Sequence, residues 1–381
     1  MGFGQLVIGA PGCGKSTYCN GMAQFLNSAG RETVVVNLDP GNDLLPYECA
    51  VDVMELIRLE DAMDEFDLGP NGGLVYCMEY IEQNLDWLQE QLAEKCAGKY
   101  ILVDFPGQVE LFTHHGSVRA IGEAIAKWGT SLCVVHLVDA HHCSDASKFL
   151  SAALVALSAM TKLEMAHVNM LSKIDLVRAL GRLDFNLDFY LRSAQLERLP
   201  RTKKMQEGLE AGSDDAGEDG EDVDKGSDGE AVGHHRYGED GKRGDHRQQT
   251  EGATQVRAAQ RRWRRMEEAV AGVIESFDLV HFIPLSMLDK DTVAHACRFV
   301  DKANGFLYSG AAGQVDGDSQ GLGRALELDD IVDLVEARYM FDPEDPYDDK
   351  RSSSEDEVDD IDMRDLPAVF ARADLDVSAD P

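Results

Sequence analysis

Gly9-Ala10-Pro11-Gly12-Cys13-Gly14-Lys15-Ser16 follows the apolar run Leu6-Val7-Ile8 and precedes the helix-compatible segment Thr17–Leu26. The stretch is spelled G-x-x-x-x-G-K-[ST], and each letter has a physical reason. Glycines at positions 9, 12 and 14 let successive backbone N–H groups, that of Cys13 included, converge on phosphate oxygens with no Cβ in the way. Lys15 brings a point charge to the β- and γ-phosphates, the Ser16 hydroxyl is a hard ligand for Mg²⁺, and Thr17 opens the following helix. A strand, this loop and a helix in succession predict a nucleoside triphosphate site at the carboxyl end of a parallel sheet.

Outward from the loop, short apolar runs alternate with helical patterns. Strands are expected at Leu6–Ile8, Thr33–Leu38, Tyr100–Val103, Ser131–Val138, His167–Leu171 and Leu279–Pro284. Between them lie amphipathic stretches such as Tyr76–Lys95 and Ser144–Leu163; in the second, Phe149, Leu150, Ala153, Leu154, Leu157 and Met160 recur at helical spacing. This alternation predicts an α/β fold, doubly wound, with a mainly parallel sheet covered on both faces.

The chain has 381 residues and a net charge of −34 that is spread unevenly. Gln206–Glu230 sets eleven acidic residues against Lys225, and Asp342–Asp362 sets eleven against Lys350 and Arg351. Poor in large apolar side chains, 201–254 reads as a disordered acidic insert and 342–381 as a disordered acidic tail. That leaves 1–200 and 255–341 as two segments of one nucleotide-binding domain, the second ending in a helix from Arg324 to Met340. Strong acidity argues against general nucleic-acid affinity, which needs clustered Lys and Arg. Arg257, Arg261, Arg262, Arg264 and Arg265 do surround Trp263, and read as a solvated helix face that pairs with the acidic insert rather than as a contact site. The eight cysteines lack C-x-x-C spacing and are expected as reduced structural thiols. No segment reaches roughly 18 consecutive apolar residues, and a first strand beginning by about Gly4 leaves no room for a targeting peptide. A cytoplasmic protein with no membrane association is therefore expected.

Three acids end apolar strands. Asp104 closes Tyr100-Ile101-Leu102-Val103 and begins D-x-P-G-Q: the acid holds a Mg²⁺-bound water, Gly107 offers its N–H to the γ-phosphate, and Gln108 orients the attacking water. Asp175, in Leu171-Ser172-Lys173-Ile174-Asp175, selects guanine, whose N1–H and exocyclic amine one carboxylate accepts together; the stem of Lys173 lies along the base plane. Asp39 ends Asn37-Leu38-Asp39-Pro40 and is expected to take a Mg²⁺-linked or catalytic role beside Ser16 and Asp104. Ile283-Pro284-Leu285-Ser286 is a weaker candidate for closing over the base. Leu68-Gly69-Pro70-Asn71-Gly72-Gly73 reads, from its residues, as a rigid turn with several positions free to take positive φ.

The order of Gly9–Ser16, Asn37–Pro40, Gly69-Pro70-Asn71, Asp104–Gln108 and Ser172–Asp175 resembles the GPN-loop GTPases, a dimeric branch of the phosphate-loop GTPases. Agreement extends through Leu45–Val53, Cys77–Tyr80, Val109–Gly116 and Phe185–Asp188, most like the second of three eukaryotic paralogues, over about Phe3–Arg192 and Val256–Phe306. The resemblance implies a GTPase domain with helical insertions and a homodimer, or a heterodimer with a paralogue. It also implies that Asn71 reaches the partner's phosphates in trans. Its further implications are slow GTP hydrolysis, assistance to RNA polymerase II assembly and nuclear import with chaperones, and shuttling to the nucleus. Gly41 stands where the family usually has Ala. The alternative reading is a non-hydrolysing GTP-binding scaffold. An ATP-dependent dimeric relative would carry an extra lysine early in the loop, where Ala10 and Pro11 stand, and a small-molecule kinase is disfavoured by Asp175.

Overall fold

Strand β1 (Gly2–Gly9) sends Leu6 and Ile8 into one apolar cluster and Val7 into another, so both of its faces are covered. The same holds for β2 (Thr33–Asn37) and β4 (Tyr100–Asp104), where Val36 and Val103 face one cluster and Val35 and Leu102 the other. Strands buried on both faces read as continuous apolar runs, which is why these were legible in the sequence. With β3 (Cys49–Asp52), β5 (Thr130–Asp139), β6 (His167–Ser172) and β7 (Phe282–Leu285) they form a seven-stranded sheet in the order β3-β2-β4-β1-β5-β6-β7, every pairing parallel. This is the doubly wound α/β fold the alternation predicts. Among the described residues β3 is the one strand that the apolar runs do not announce.

Residues 2–180, 183, 185–192, 196, 262–309 and 328–340 are described by this computed structural model. The acidic insert 201–254, the tail 342–381, Arg257 and Arg261 lie outside them. The chain falls into two compact units, Met1–Gln195 with Ile274–Pro381 and Leu196–Val273. In the second, 262–273 belongs to a helix that runs over 262–277.

In the first unit, helix α1 (Lys15–Ser28) buries Tyr18, Met22 and Leu26 against one face of the sheet. Further along the chain come α2 (Leu59–Phe66), α3 (Pro70–Gln83), α4 (Leu85–Lys95), α5 (Glu110–Thr113), α6 (Ser117–Lys127), α7 (Ala146–Leu163), α8 (Leu187–Arg192), α9 (Lys290–Ala303) and α10 (Leu328–Tyr339). On the opposite face Met78 and Ile81 of α3, Leu88 of α4 and Ile121 and Ile125 of α6 are fully buried. The amphipathic stretch Tyr76–Lys95 is two helices rather than one. Asn84 interrupts it at φ −115°, ψ 40°, and its side-chain amide donates to Tyr80 O at 2.7 Å. α7 is long and apolar enough by length and composition to cross a membrane, yet Phe149, Leu150, Ala153 and Leu157 are buried within the fold. It is a core helix by packing. All eight cysteines carry free thiols, and each but Cys49 is buried.

Topology fixes where chemistry can occur. Since β1 pairs with β4 on one side and β5 on the other, the chain order reverses at β1, and the crevice beyond its carboxyl end is the expected ligand position.

Candidate functional site

The loop after β1 has the conformation its glycines allow. Gly12 and Gly14 take φ 77° and 99°, and Gly14 caps α1 with its backbone alone. Tyr18 N–H donates to Gly14 O at 2.8 Å, so the helix begins immediately and its free N–H groups face the crevice. A Cβ on Gly9 would lie 2.5 Å from Leu137 O and 2.6 Å from Cys13 Sγ, a clash that only glycine avoids. Lys15 is buried at the head of α1, with Nζ donating to Gly9 O at 3.2 Å and Ala10 O at 3.4 Å, so the ammonium stands over the loop mouth. Thr17 is exposed in the first turn. Cys13 is buried; desolvation pushes its thiol up, opposed by the charges of Lys15 and Lys173.

The neighbouring strands bring acids to this loop. Leu38 N–H donates to Asp104 O at 2.9 Å, which joins the ends of β2 and β4 and sets Asp39 beside Asp104. Asp104 is buried; its Oδ2 accepts from the Tyr47 hydroxyl at 2.8 Å, while buried Oδ1 has no partner within hydrogen-bond geometry among the described residues. Burial raises the Asp104 carboxyl above its ordinary value. The Tyr47 and Ser16 hydroxyls and Lys15 oppose that shift, and Asp39 adds to it. Asp39 is raised by burial too, against the Gly41 N–H, which donates to its Oδ1 at 3.0 Å, and against Lys15. Two costly carboxylates, one with an orphaned oxygen, next to the Ser16 hydroxyl form an all-oxygen donor set that a hard divalent cation fits. The Ser16 hydroxyl also accepts from Asn42 Nδ2 at 3.3 Å. Gly107 packs so close that a Cβ there would lie 2.7 Å from Lys15 Nζ and 3.1 Å from the Pro11 backbone. Gln108 follows it, half-buried, with Oε1 buried and unpartnered among the described residues.

The segment Ser172–Asp175 leaves β6 on the other side of the loop. Ser172 is buried, and its hydroxyl lies 2.9 Å from Cys13 O and 3.1 Å from Val138 O, which locks the strand end to the phosphate loop. Lys173 takes φ 59°, and its Nζ donates to Gly12 O at 2.6 Å and to Asp139 Oδ2 at 2.7 Å. Asp175 sits half-exposed at the start of a 3₁₀ turn, Ile174–Leu180. Beyond β7, Ser286 is buried, and its backbone N–H and C=O are both hydrogen-bonded to the Thr292 hydroxyl.

Gly69-Pro70-Asn71 is not the expected turn. Gly69 is the N-cap of α3 at φ −70°, Pro70 is its first residue, and neither Gly69, Gly72 nor Gly73 takes positive φ. Proline at the first helical position explains this, since its ring presets φ and the missing N–H has no helical partner to lose. Asn71 therefore projects from an exposed helix start. The structure brings together Lys15, Ser16, Asp39, Asp104, Gly107 and, across the loop, Lys173, whereas Asn71 makes no hydrogen bond to that group among the described residues. A cavity of about 640 Å³ opens behind the loop between Gly12, Cys13, Val109, the end of β5 and α7. Three participants were missed in the sequence: Tyr47, Asn42 and Asp139. Asp139 ends an apolar strand in an acid, as Asp104 does, and that signal was available.

A parallel sheet with a glycine loop, a buried lysine and paired acids at its switch point defines a phosphate-loop nucleotide-binding protein. The family profile described as a conserved hypothetical ATP binding protein matches residues 7–216. Among individual proteins, the chain is 41% identical over 315 residues to a GPN-loop GTPase 2 homolog of Dictyostelium discoideum, covering 81% of each. It is 40% identical over 346 residues to the GPN-loop GTPase QQT1 of Arabidopsis thaliana, covering 90% of this chain and 99% of that one. Against GPN-loop GTPase 2 of Saccharomyces cerevisiae the identity is 35% over 323 residues, 84% of this chain and 78% of the relative. The crystal structure of an apo GTPase from Pyrococcus abyssi matches with a TM-score of 0.43 and 25% identity, over 55% of this chain and 82% of that one. The chain belongs to the GPN-loop GTPases, a family of GTP-hydrolysing enzymes.

Proposed function

We propose that this protein hydrolyses GTP with Mg²⁺ and uses the nucleotide state to switch the shape of a dimer, formed with itself or a paralogue. The observation that carries this reading is the buried Oδ1 of Asp104, without a hydrogen-bond partner among the described residues, beside Ser16 and Lys15. Ser16, Asp39 and Asp104 would hold Mg²⁺, directly or through water, and the ion would offset charge on the β- and γ-phosphate oxygens. Lys15 stabilises the charge that gathers as the bond from the γ-phosphorus to its bridging oxygen lengthens. Gln108 orients the water that attacks in line, and the Gly107 N–H faces the γ-phosphate. Asp175 accepts the two guanine donors while the Lys173 stem flanks the base. Asn71 of a second subunit completes the site in trans.

The resemblance supports a biological role in assembling RNA polymerase II and delivering it to the nucleus, with chaperones as partners, from a mainly cytoplasmic location. A single-turnover assay with GTP and ATP, with and without EDTA, tests the chemistry. GTP cleaved in Mg²⁺ and spared in EDTA is expected. Tight GTP binding with no cleavage in either condition would make the protein a GTP-binding scaffold instead.

A further inference from the structure

We infer that Asp139 is a positioning residue for guanine recognition: it holds Lys173 in place and so sets nucleotide affinity without itself touching the nucleotide. The inference deepens the proposed GTP site and rests on Lys173 flanking the base there.

Lysine is a poor fit to the position it occupies. At φ 59° the backbone of Lys173 is in the left-handed region, which a residue with a Cβ avoids unless its surroundings fix it. From there the side chain runs back over the phosphate loop, close enough that a Cβ on Gly14 would meet its Cε at 4.0 Å. Its ammonium ends between two acceptors, Gly12 O at 2.6 Å and Asp139 Oδ2 at 2.7 Å. The carbonyl alone supplies no charge, whereas the carboxylate makes the contact charge-assisted.

Asp139 is itself fixed in two ways. It is the last residue of β5, paired in register with Ser172, so its backbone stands beside the residue that precedes Lys173. Its Oδ1 accepts the His141 N–H at 2.9 Å and caps the 3₁₀ turn Ala140–Ser144, which turns Oδ2 toward the lysine. The other nearby cation, Lys148, is directed to His141, with Nζ 3.4 Å from Nε2. One carboxylate thus does two separate jobs, one per oxygen.

The two side chains are 35% and 27% exposed, so the pair adds little to folding stability. What it supplies is order in a side chain with four rotatable bonds. A lysine already seated before nucleotide arrives need not be immobilised on binding, and its charge is already balanced, so it does not reach instead for the phosphates.

The test is a double-mutant cycle on the full chain, read by equilibrium binding of fluorescent GDP and GTP analogues. Asp139→Asn keeps a carbonyl for the His141 N–H and turns an uncharged NH2 donor, in place of the carboxylate oxygen, toward the Lys173 ammonium. It should raise the Kd of both nucleotides about tenfold and, in a parallel steady-state hydrolysis assay, raise the KM for GTP without lowering kcat; Asp139→Glu should recover part of the loss. In a Lys173→Met background the same change should cost less than about twofold, because there is no ammonium left to place. Wild-type affinity in Asp139→Asn, or an equal loss in both backgrounds, would overturn the role assigned to Asp139. Wild-type protein that binds adenine nucleotides as well as guanine ones would instead sink the guanine site itself.

Discussion

Asp104 carries its charge where charge is costly. Its carboxyl is raised by burial, so the native state takes up a proton more readily than the unfolded chain. The sign follows: this group detracts from stability at neutral pH and detracts less as pH falls toward the ordinary carboxylate range. Asp104→Asn removes the charge and keeps an acceptor for the Tyr47 hydroxyl. The nucleotide-free protein should gain roughly 1 kcal/mol, a few degrees in melting temperature, while GTP hydrolysis falls at least about a hundredfold. A variant that melts lower than wild type would show that the carboxylate is compensated in a way the geometry does not reveal. Under the proposed guanine reading, Asp175→Asn replaces an acceptor by a donor against guanine's two donors. GTP affinity should drop by several kcal/mol and xanthine nucleotides should bind in its place, as competition measurements would report. Lys15, Ser16, Asp104 and Asp175 stand out as candidates in the sequence because each lies in a short contiguous spelling. Tyr47 and Asn42 were not, since their partners Asp104 and Ser16 are distant in sequence and nothing local in their own segment demands them.

Helix α3 shows how a motif can be read rightly as a motif and wrongly as an element. Pro70 and the flanking glycines have turn composition, but proline also opens helices, and the apolar spacing of Cys77, Met78 and Ile81 pulls the chain into one. The result places Asn71 on an exposed helix start rather than in the expected rigid turn, a geometry suited to reaching a second molecule. Catalysis in trans makes a sharp expectation. An Asn71→Ala subunit mixed with a Lys15→Ala subunit should regain activity, because each mixed dimer has one intact phosphate loop facing one intact Asn71. Native mass spectrometry would establish that mixed dimers are present; without recovery in that sample, Asn71 does not act across an interface. The strands were easier to read. Six of them announce themselves as apolar runs buried on both faces, whereas β3, at the sheet edge, has only Val51 fully buried in Cys49-Ala50-Val51-Asp52. An edge strand of four residues with one committed side chain gives periodicity nothing to detect. At Gly41, an alanine Cβ would lie 2.8 Å from the flexible end of Leu59, so the departure from the family pattern is accommodated by a side chain and leaves the Asp39 turn intact.

At the scale of the whole molecule, two opposing populations of buried groups contribute to the acid response. Asp39, Asp104 and Asp301 have carboxyls raised by burial, and each of them favours the native state as pH falls toward 3.8. His136 on β5 and His167 on β6 act the other way. Their rings stand 5.9 Å apart in an edge-to-face arrangement, His136 packs on Phe112, and its Nδ1 lies 3.2 Å from Asn169 Oδ1. Burial holds His136 down to about 4 and His167 to about 3, with Asn169 opposing the shift at both. Below pH 6.5, the ordinary histidine value, the unfolded chain therefore binds protons that the native sheet refuses, and stability falls with pH from there through both folded values. Each depressed histidine contributes at most about 1.4 kcal/mol per pH unit in that window. Replacing both by glutamine should flatten the fall in melting temperature between about pH 6.5 and 4.5, whatever it does to stability at neutral pH. The comparison of slopes isolates the pair, because the buried carboxylates are common to both proteins. An unchanged slope in the double variant would mean that these rings are protonated within the fold, and that the sheet opens around them before it unfolds.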